Sequence, residues 1–269
     1  MNGRGDIVGW AHIRRGPKHA VLWRGGTLAD IGPPGKRSEA TAINASGEVV
    51  GWAGTRAGGV SSAFLWRNGR ATNIGAALPS QSYATAINNR GAVVGDWRTR
   101  DYPYRWGGFY WYRGKLTDLG TLGGSFTRPF ALNERGEVVG VSWTADGTRH
   151  AFLWKAGRMR DLGPRTDSAT DINDSSTVVG CCSFRWRNGR ITKLPASDDC
   201  LITNADLVAC EGVRPVVVKP PPNRETVTPL PARYCLCGFR AVDETGQIVG
   251  LAQPPLTGPH EAFLWEWSW

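Results

Sequence analysis

A phrase of fourteen residues recurs along the whole chain and limits the folds that are open to it. It reads HAFLWKAGRMRDLG at 150–163, SAFLWRNGRATNIG at 62–75 and HAVLWRGGTLADIG at 19–32. A second phrase, A-x-x-I-N-x-x-G-x-V-V-G, precedes most copies, as in ATAINASGEVVG at 40–51 and ATAINNRGAVVG at 84–95. Repetition at a fixed period is the signature of solenoids, propellers and related arrays, so the repeat decides the fold class.

Each unit of the repeat contains four short runs of residues that favour β-strands. The runs are A-x-x-I-N, G-x-V-V-G, A-F-L-W and a final run that ends in L-G. The intervening N-x-x-G and R-N-G-R stretches predict tight hairpin turns, because Asn and Gly tolerate positive φ. No window of useful length has the period of a helix, so the sequence predicts an all-β chain.

Seven such units predict a β-propeller of seven four-stranded blades, formed as a single domain over residues 1–269. One small sheet cannot bury both of its faces alone, whereas stacked blades cover one another and ring closure leaves few exposed edges. The first unit lacks its A-x-x-I-N run, so one blade is expected to be incomplete. The units are predicted near residues 1–39, 40–83, 84–128, 129–168, 169–198, 199–238 and 239–269.

A tryptophan anchors the third strand in six of the seven units. At this fixed scaffold position, a large apolar ring is expected to pack between blades and not to bind a ligand. The anchors are Trp23, Trp66, Trp111, Trp154, Trp186 and Trp265.

The H-A-F-x-W, D-L-G, I-N-x-x-G and V-V-G elements resemble those of the HAF repeat family, and the resemblance covers essentially the whole chain. It implies an extracellular or cell-surface repeat protein of the propeller type. It brings no catalytic or binding residues with it, so function must be sought where the units differ from one another.

The net charge of +9 sets the expected partners. A basic protein tends to meet anionic partners such as glycans, acidic small molecules or nucleic acid, although a solvated basic surface is the alternative. The basic residues form no long run, which favours the solvated surface. A small molecule or a glycan is the expected partner, and nucleic acid, which would require one contiguous arginine stripe, is the weaker alternative. The chain has no run of about 18 apolar residues, so no membrane span is predicted. We expect a monomer without a cofactor.

All six cysteines lie in the last part of the chain, in its least regular units. An even number there predicts disulfides and an extracellular or cell-surface location, with a cytoplasmic protein carrying free thiols as the alternative. The C-C and C-x-C spacings differ from the C-x-x-C of zinc sites, so no metal is expected, although a thiolate metal site is a further alternative. Cys200 and Cys210 would fall on adjacent strands and are the favoured pair. The pairing of the others is open: Cys181, Cys182, Cys235 and Cys237.

Two of the four connections in each unit vary in length and content, and strand alternation puts both at one end of the sheets, which we call the loop face. Variable connections on a rigid scaffold are where binding residues concentrate. A tryptophan follows V-V-G in four successive units, and a partial ring of indoles could stack on sugars, bases or aromatic ligands. The alternative is a hydrophobic lid beneath the loops. These residues are Trp10, Trp52, Trp97 and Trp143.

The longest of these connections in the well-matched units, residues 96–111, interleaves arginines with aromatic residues. Such side chains are enriched at binding hot spots and anion sites, whereas the alternative is a loop that covers its own apolar underside. The leading prediction is therefore a non-enzymatic propeller that recognises a carbohydrate, an aromatic or an anionic ligand on the loop face. The candidates are Arg98, Arg100, Tyr102, Tyr104 and Trp106, with Arg128 near the channel mouth.

The alternative function is an enzyme, a lyase, cyclase or hydrolase of a small molecule, with its active site at the mouth of the central channel. The innermost strand has a small, neutral consensus, and departures from a local rule point to function. Paired carboxylates there could perform acid–base chemistry, although a salt bridge between blades is the simpler alternative. The departures are Asp171, Asp198, Asp199 and Arg240.

Overall fold

The computed structural model describes residues 1–12, 16–54, 59–78, 80–100, 102–181, 184–194 and 200–210, together with the backbone of five later strands between residues 216 and 265. Within these residues the chain forms 26 strands and no helix, so the all-β prediction is confirmed. The strands group into seven successive units, which we number 1 to 7 along the chain.

Units 1 to 4 contain the first fifteen strands. Unit 1 has β1 (Ile7–His12), β2 (Lys18–Arg24) and β3 (Thr27–Asp30). Unit 2 has β4 (Arg37–Ile43), β5 (Val49–Gly54), β6 (Ser61–Arg67) and β7 (Arg70–Asn73). Unit 3 has β8 (Gln81–Ile87), β9 (Val93–Arg98), β10 (Trp106–Tyr112) and β11 (Lys115–Asp118). Unit 4 has β12 (Gly123–Leu132), β13 (Val138–Thr144), β14 (Arg149–Lys155) and β15 (Arg158–Asp161).

Units 5 to 7 contain the other eleven described strands. Unit 5 has β16 (Ala169–Ile172), β17 (Val178–Gly180), β18 (Phe184–Arg187) and β19 (Arg190–Lys193). Unit 6 has β20 (Cys200–Ile202), β21 (Val208–Cys210), β22 (Val216–Lys219) and β23 (Thr226–Pro229). Unit 7 has β24 (Cys235–Val242), β25 (Ile248–Gln253) and β26 (Glu261–Trp265).

Each unit is an antiparallel meander in which consecutive strands pair. Units 2 to 6 have four strands, unit 1 lacks a first strand, and the residues after β26 in unit 7 lie outside the described part of the chain. The sheets of units 3 and 4 also join through one parallel contact between Trp106 in β10 and Phe126 in β12. Among the strands described, no pairing links unit 7 back to unit 1.

Both predicted hairpin turns form, and they lie together at the end of the sheets opposite the loop face. In the R-N-G-R stretch of unit 2, Asn68 and Gly69 have φ of 50° and 80°, which these two residue types adopt at little cost. In the N-x-x-G stretch of the same unit, the backbone N–H of Gly47 donates to the carbonyl oxygen of Asn44 at 3.0 Å. We call this end of the units the turn face.

The asparagine of each I-N-x-x-G stretch links its unit to the next one, a role that its turn position alone did not predict. Its side-chain amide donates to the backbone carbonyl oxygen of the corresponding residue in the following unit, over 3.0–3.1 Å. Its side-chain oxygen accepts the backbone N–H four residues later and closes the turn. These side chains are buried, where an unpaired amide is costly. We call the series the asparagine ladder: Asn2, Asn44, Asn88, Asn133 and Asn173, ending at the carbonyl oxygen of Thr203.

The glycine of V-V-G is required by the strand beside it. A Cβ atom at this position would overlap a backbone carbonyl oxygen of the first strand in the same unit, so only glycine fits. The first strand is irregular here, with a register shift next to the residue that pairs with the glycine. Gly9 of unit 1, which has no described first strand beside it, has nothing within 4 Å of its Cβ position. The crowded glycines are Gly51, Gly95, Gly140 and Gly180.

Units 1 to 6 pack on one another in succession through apolar side chains, as the blades of a β-propeller do. Leu65 of unit 2 shares a buried cluster with Phe109 of unit 3, and Leu153 of unit 4 shares another with Phe184 of unit 5. The two valines of V-V-G in unit 3 split between neighbours, because Val93 packs towards unit 2 and Val94 towards unit 4. The alternation of side chains along a strand therefore gives each sheet two apolar faces.

The anchor tryptophans pack against the preceding unit. Trp154 and Trp186 are buried, and Trp66 and Trp111 are half-buried against the clusters, which confirms the expectation for the middle units. For Trp23 in unit 1 the expectation stays a prediction, because 41% of the residue is exposed and no described unit precedes unit 1. The side chain of Trp265 lies outside the described residues.

One predicted disulfide is present. Cys200 in β20 and Cys210 in β21 face each other in register and are joined, which confirms the favoured pair. Both sulfurs lie in a buried cluster with Val179 of unit 5, so the bridge also contributes to the contact between units 5 and 6. Cys181 is half-buried, whereas Cys182 and the side chains of Cys235 and Cys237 lie outside the described residues.

Candidate functional site

The four tryptophans that follow V-V-G lie in strands and not in loops, which corrects the sequence interpretation. The long connection predicted at residues 96–111 is likewise reduced to residues 99–105, between β9 and β10. Cross-strand pairing extends a strand through aromatic and polar residues that in isolation resemble a loop. The strands that continue past V-V-G are β1, β5, β9 and β13, and they carry Trp10, Trp52, Trp97 and Trp143.

The first strands of units 2, 3 and 4 place three different side chains at one equivalent position near the loop face. Glu39, Tyr83 and Arg128 each precede the residue that pairs with the V-V-G glycine. All three line one cavity of about 370 Å³. A position that varies inside a constant scaffold is where specificity is expected. We call this the Asp96 cavity; its other polar and aromatic lining residues include Trp52, Asp96, Arg98 and Trp106.

Asp96 is the most buried charged group of the cavity, with 2% of the residue exposed. In β9 it takes the position that Trp52 has in unit 2 and Val141 has in unit 4, so a carboxylate stands where those units have apolar side chains. Its described ion pair is with Nε of Arg128, at 3.5 Å. Burial raises the pKa of Asp96 because the charged form loses hydration, while the guanidinium groups of Arg128 and Arg98 act in the opposite direction.

Arg98 is held in place by polar and aromatic contacts. Its Nε donates to Oε1 of Gln81 at 2.6 Å, and its Nη2 donates to the hydroxyl of Tyr83 at 3.5 Å. The guanidinium carbon lies 5.3 Å from the ring centroid of Trp106 and 5.7 Å from that of Tyr83, within the range of cation–π contacts. Arg98 is therefore positioned before any ligand arrives.

A series of ring contacts crosses units 2 to 4 at this end of the sheets. The ring centroids of Trp52 and Tyr83 are 5.8 Å apart, those of Trp106 and Phe126 are 5.6 Å apart, and those of Phe126 and Trp143 are 5.5 Å apart. Arg98 connects the two halves through its contacts with Tyr83 and Trp106. We call the series the aromatic strip: Trp52, Tyr83, Arg98, Trp106, Phe126 and Trp143.

Trp106 lines two further cavities in addition to the Asp96 cavity. One of about 610 Å³ lies between units 3 and 4, beside Trp97 and Trp143, and is bounded by several glycines. The other, of about 420 Å³, includes Arg100 and Tyr104 in its lining. One indole is therefore the common wall of three cavities. Seven of the predicted binding residues other than Trp106 line at least one of them: Trp52, Trp97, Arg98, Arg100, Tyr104, Arg128 and Trp143.

Trp10 and Tyr102 lie apart from the aromatic strip. Nζ of Lys18 lies 3.9 Å from the ring centroid of Trp10 and pairs with Glu39 at 2.7 Å, so this ion pair connects Trp10 to the Asp96 cavity. Tyr102 is 87% exposed, contacts the ring of Tyr104, and does not line the three cavities described.

Trp97 points to the opposite face of β9 from Asp96. Its ring lies against Gly107, where a Cβ atom would overlap the indole, and it packs on the apolar cluster between units 2 and 3. Side chains alternate along a strand, so a tryptophan two residues after the V-V-G glycine faces away from one that follows it directly, as Trp52 does.

Of the residues proposed for an enzyme, the structure describes the side chain of Asp171 alone; Asp198, Asp199 and the side chain of Arg240 lie outside the described residues. The Asp171 carboxylate accepts the backbone N–H groups of Ile172 and of Ile202 in unit 6, both at 2.9 Å. It therefore braces unit 5 against unit 6. Burial raises the pKa of Asp171 to about 6, and the two backbone hydrogen bonds only partly offset this effect.

Stability is expected to depend on pH through Asp171. Because its pKa is raised in the folded state from 3.8 to about 6, the folded protein binds this proton more tightly than the unfolded chain. The resulting stabilisation is complete below pH of about 4 and is lost as the pH rises to about 6, by up to about 3 kcal/mol. Urea unfolding of wild type and Asp171→Asn at several pH values should show this difference. A constant difference between the two proteins would contradict the role assigned to Asp171.

Sequence reasoning missed Asp96, Tyr83 and Phe126. The available signal was the residue after V-V-G, where a carboxylate at 96 replaces the tryptophan of units 1 and 2.

The described residues include no group of three His, Cys, Asp or Glu side chains placed to hold a metal ion. In the same part of the chain, no helix has the length and apolar character that crossing a bilayer requires.

No protein-family model and no curated protein sequence matches the chain. Solved structures do. The acylaminoacyl peptidase of Pyrococcus horikoshii matches 98% of this chain with a TM-score of 0.58 and 12% identity. The chain spans about half the length of that peptidase, 50% of which is covered.

Two other solved structures match with lower scores. The β-propeller domain of the Trilobed protease from Pyrococcus furiosus has a TM-score of 0.40 and 10% identity, with 98% of this chain and 91% of that chain covered. A fucose-specific lectin from Aleuria aurantia has a TM-score of 0.38 and 9% identity, with 84% and 91% covered. At such identities a likeness extends to the fold and no further, so the peptidase match places this chain among all-β repeat folds without assigning an activity.

Proposed function

We propose that the seven units close into a seven-bladed β-propeller built from HAF-type repeats. Unit 1 supports this proposal. Ile7, Trp23 and Leu28 lie opposite one another across its three strands, on the face that points away from unit 2, and all three are exposed. A seventh blade would cover this apolar face in the same way that unit 1 covers Trp66 of unit 2.

Within that propeller, the protein binds a ligand without transforming it, and the ligand is a carbohydrate, an aromatic or an anionic molecule. The observation that carries this proposal is that Trp106 is the common wall of three cavities at one end of units 2 to 4. Trp106 and Arg98 lie on paired strands, and a site on rigid elements is already organised for binding. The combination of aromatic rings and a fixed guanidinium suits ligands with both an apolar face and polar groups.

Replacing Trp106 by alanine is expected to weaken ligand binding at least tenfold, because the common wall of the cavities is removed. Calorimetric titration with glycans, nucleotides and aromatic metabolites measures the effect. Tyr112→Ala is the matched control, since Tyr112 is an aromatic residue at the turn end of the same strand as Trp106 and lines none of the three cavities described. Equal affinity in wild type and Trp106→Ala for every ligand found would contradict the proposed site.

The same proposal places the protein outside the cell or at its surface, as a monomer. The Cys200–Cys210 disulfide supports this location, because disulfides persist in oxidising compartments and are rare in the cytosol. Light scattering on the purified protein measures the mass in solution, and a mass of two or more chains would contradict the monomer.

A further inference from the structure

The carboxylate of Asp96 is almost fully buried in the wall of a cavity, and Arg128 is the partner described for it. The residue is 2% exposed, and its described ion pair with Arg128 is long, at 3.5 Å. A buried carboxylate is stable only when it is paired and its oxygens accept hydrogen bonds. Asp96 lines a cavity, so a molecule that enters it can donate a hydrogen bond to the carboxylate.

The other charged groups of the Asp96 cavity are engaged elsewhere. Glu39 pairs with Nζ of Lys18 at 2.7 Å. Arg98 donates to Gln81 at 2.6 Å and lies over the ring of Trp106. Asp96 and Arg128 are therefore the charged pair that a ligand in the cavity can contact, with one hydrogen-bond acceptor beside one donor group.

This pair discriminates between ligand charges. An anionic group placed on Arg128 would stand next to the Asp96 carboxylate, and a cationic group placed on Asp96 would stand next to Arg128, so each meets a like charge. Two adjacent hydroxyl groups meet no such opposition. One O–H donates to Asp96, and the oxygen of its neighbour accepts from the guanidinium of Arg128.

The walls of the cavity suit the remainder of a sugar ring. Trp52, Tyr83 and Trp106 line it, and aromatic faces pack well against the C–H groups of a pyranose. The volume of about 370 Å³ lies within the range of small-molecule sites.

We propose that the Asp96 cavity binds a neutral saccharide, with adjacent hydroxyl groups held by Asp96 and Arg128 and the ring against Trp52, Tyr83 and Trp106. This inference rests on the proposed function, and it selects one of the three ligand classes that the function leaves open. Asp96 is then the residue that determines specificity against acidic sugars.

The test uses an array of neutral and acidic glycans, followed by calorimetry with matched pairs of methyl hexosides and the corresponding methyl hexuronosides. Wild type is expected to bind neutral members and to reject their uronic acid counterparts. Asp96→Asn should weaken neutral binding by about ten- to a hundredfold, the range for a hydrogen bond to a charged group. Asp167→Asn, which removes a carboxylate paired with Arg149 away from the cavity, is the control. Thermal unfolding of each variant verifies that the fold is retained.

The outcomes separate this inference from the proposed function. Neutral binding that is lost in both Trp106→Ala and Asp96→Asn supports both. Tighter binding of uronic or sulfated glycans, or a gain in affinity in Asp96→Asn, overturns the neutral saccharide while the binding site stands. Binding that is unaffected by Trp106→Ala, or no binding on the whole array, overturns both. Conversion of a bound sugar by wild type but not by Asp96→Asn overturns the proposal that the protein binds its ligand without transforming it.

Discussion

Replacing Asn88 by alanine is expected to lower the free energy of unfolding by about 3–5 kcal/mol. The substitution removes the amide that donates to the carbonyl oxygen of Asn133 at 3.0 Å, and it removes the oxygen that accepts the N–H groups of Arg90 and Ala92. The bonds to Asn133 and from Ala92 lie at the buried junction of units 3 and 4, where water does not replace the lost partners. Urea unfolding measures the change.

The neighbouring Asn89 provides the matched control for this substitution. It belongs to the same turn, but it is exposed, and its side chain accepts one hydrogen bond, from the N–H of Ala45 at 2.8 Å. Asn89→Ala should therefore cost less than about 1 kcal/mol, because water can replace Asn89 as the acceptor of the hydrogen bond from the N–H of Ala45. Similar losses for Asn88→Ala and Asn89→Ala would show that the asparagine ladder does not hold the units together.

Replacing Gly140 by alanine is expected to lower the free energy of unfolding by at least about 3 kcal/mol. The Cβ atom of Gly140→Ala would overlap the carbonyl oxygen of Arg128 and lie 2.7 Å from the Cα atom of Pro129, so β12 must move away from β13. Backbone atoms of a paired strand cannot yield as a flexible side chain can. Thermal and urea unfolding measure the loss.

Alanine in place of Gly9 tests whether another segment of the chain pairs with β1. Gly9 occupies the equivalent motif position in β1, where the described structure has no first strand, and its Cβ position is open. Gly9→Ala is therefore expected to change stability by less than about 0.5 kcal/mol. A loss as large as that of Gly140→Ala would indicate that another segment of the protein pairs with β1.

The four-stranded pattern of the units was predictable because its signals are local. Alternating Val, Ile and Phe identify the strands, and the pairs at Asn68-Gly69 and Asn44–Gly47 identify the turns. The lengths of the strands were not predictable in the same way. Residues 96–98 and 106–108 have a mixed composition, and they extend their strands because they pair with each other and because residues 96–98 also pair with β8.

The candidate site was half predictable. The aromatic and basic composition near residue 100 indicated Arg98 and Trp106 as candidates, and the structure pairs the two directly across β9 and β10. Asp96 was missed because its significance depends on a cavity formed with Glu39 and Arg128, which come from other units. Trp97 was grouped with Trp52 although its offset from the glycine differs by one residue, and that difference reverses the face of the sheet.

The asparagine ladder has a consequence for how such a protein grows by duplication. Every hydrogen bond in it runs in the same direction, from the side chain of one unit to the main chain of the next. A duplicated unit thus carries its own side-chain donor for the unit that follows. It also offers a main-chain carbonyl oxygen to the unit before it, and every residue type supplies that acceptor. Copies can be inserted or lost without any matching change in their neighbours, so lineages can vary the number of units while the side chains at the other end of the sheets diverge independently.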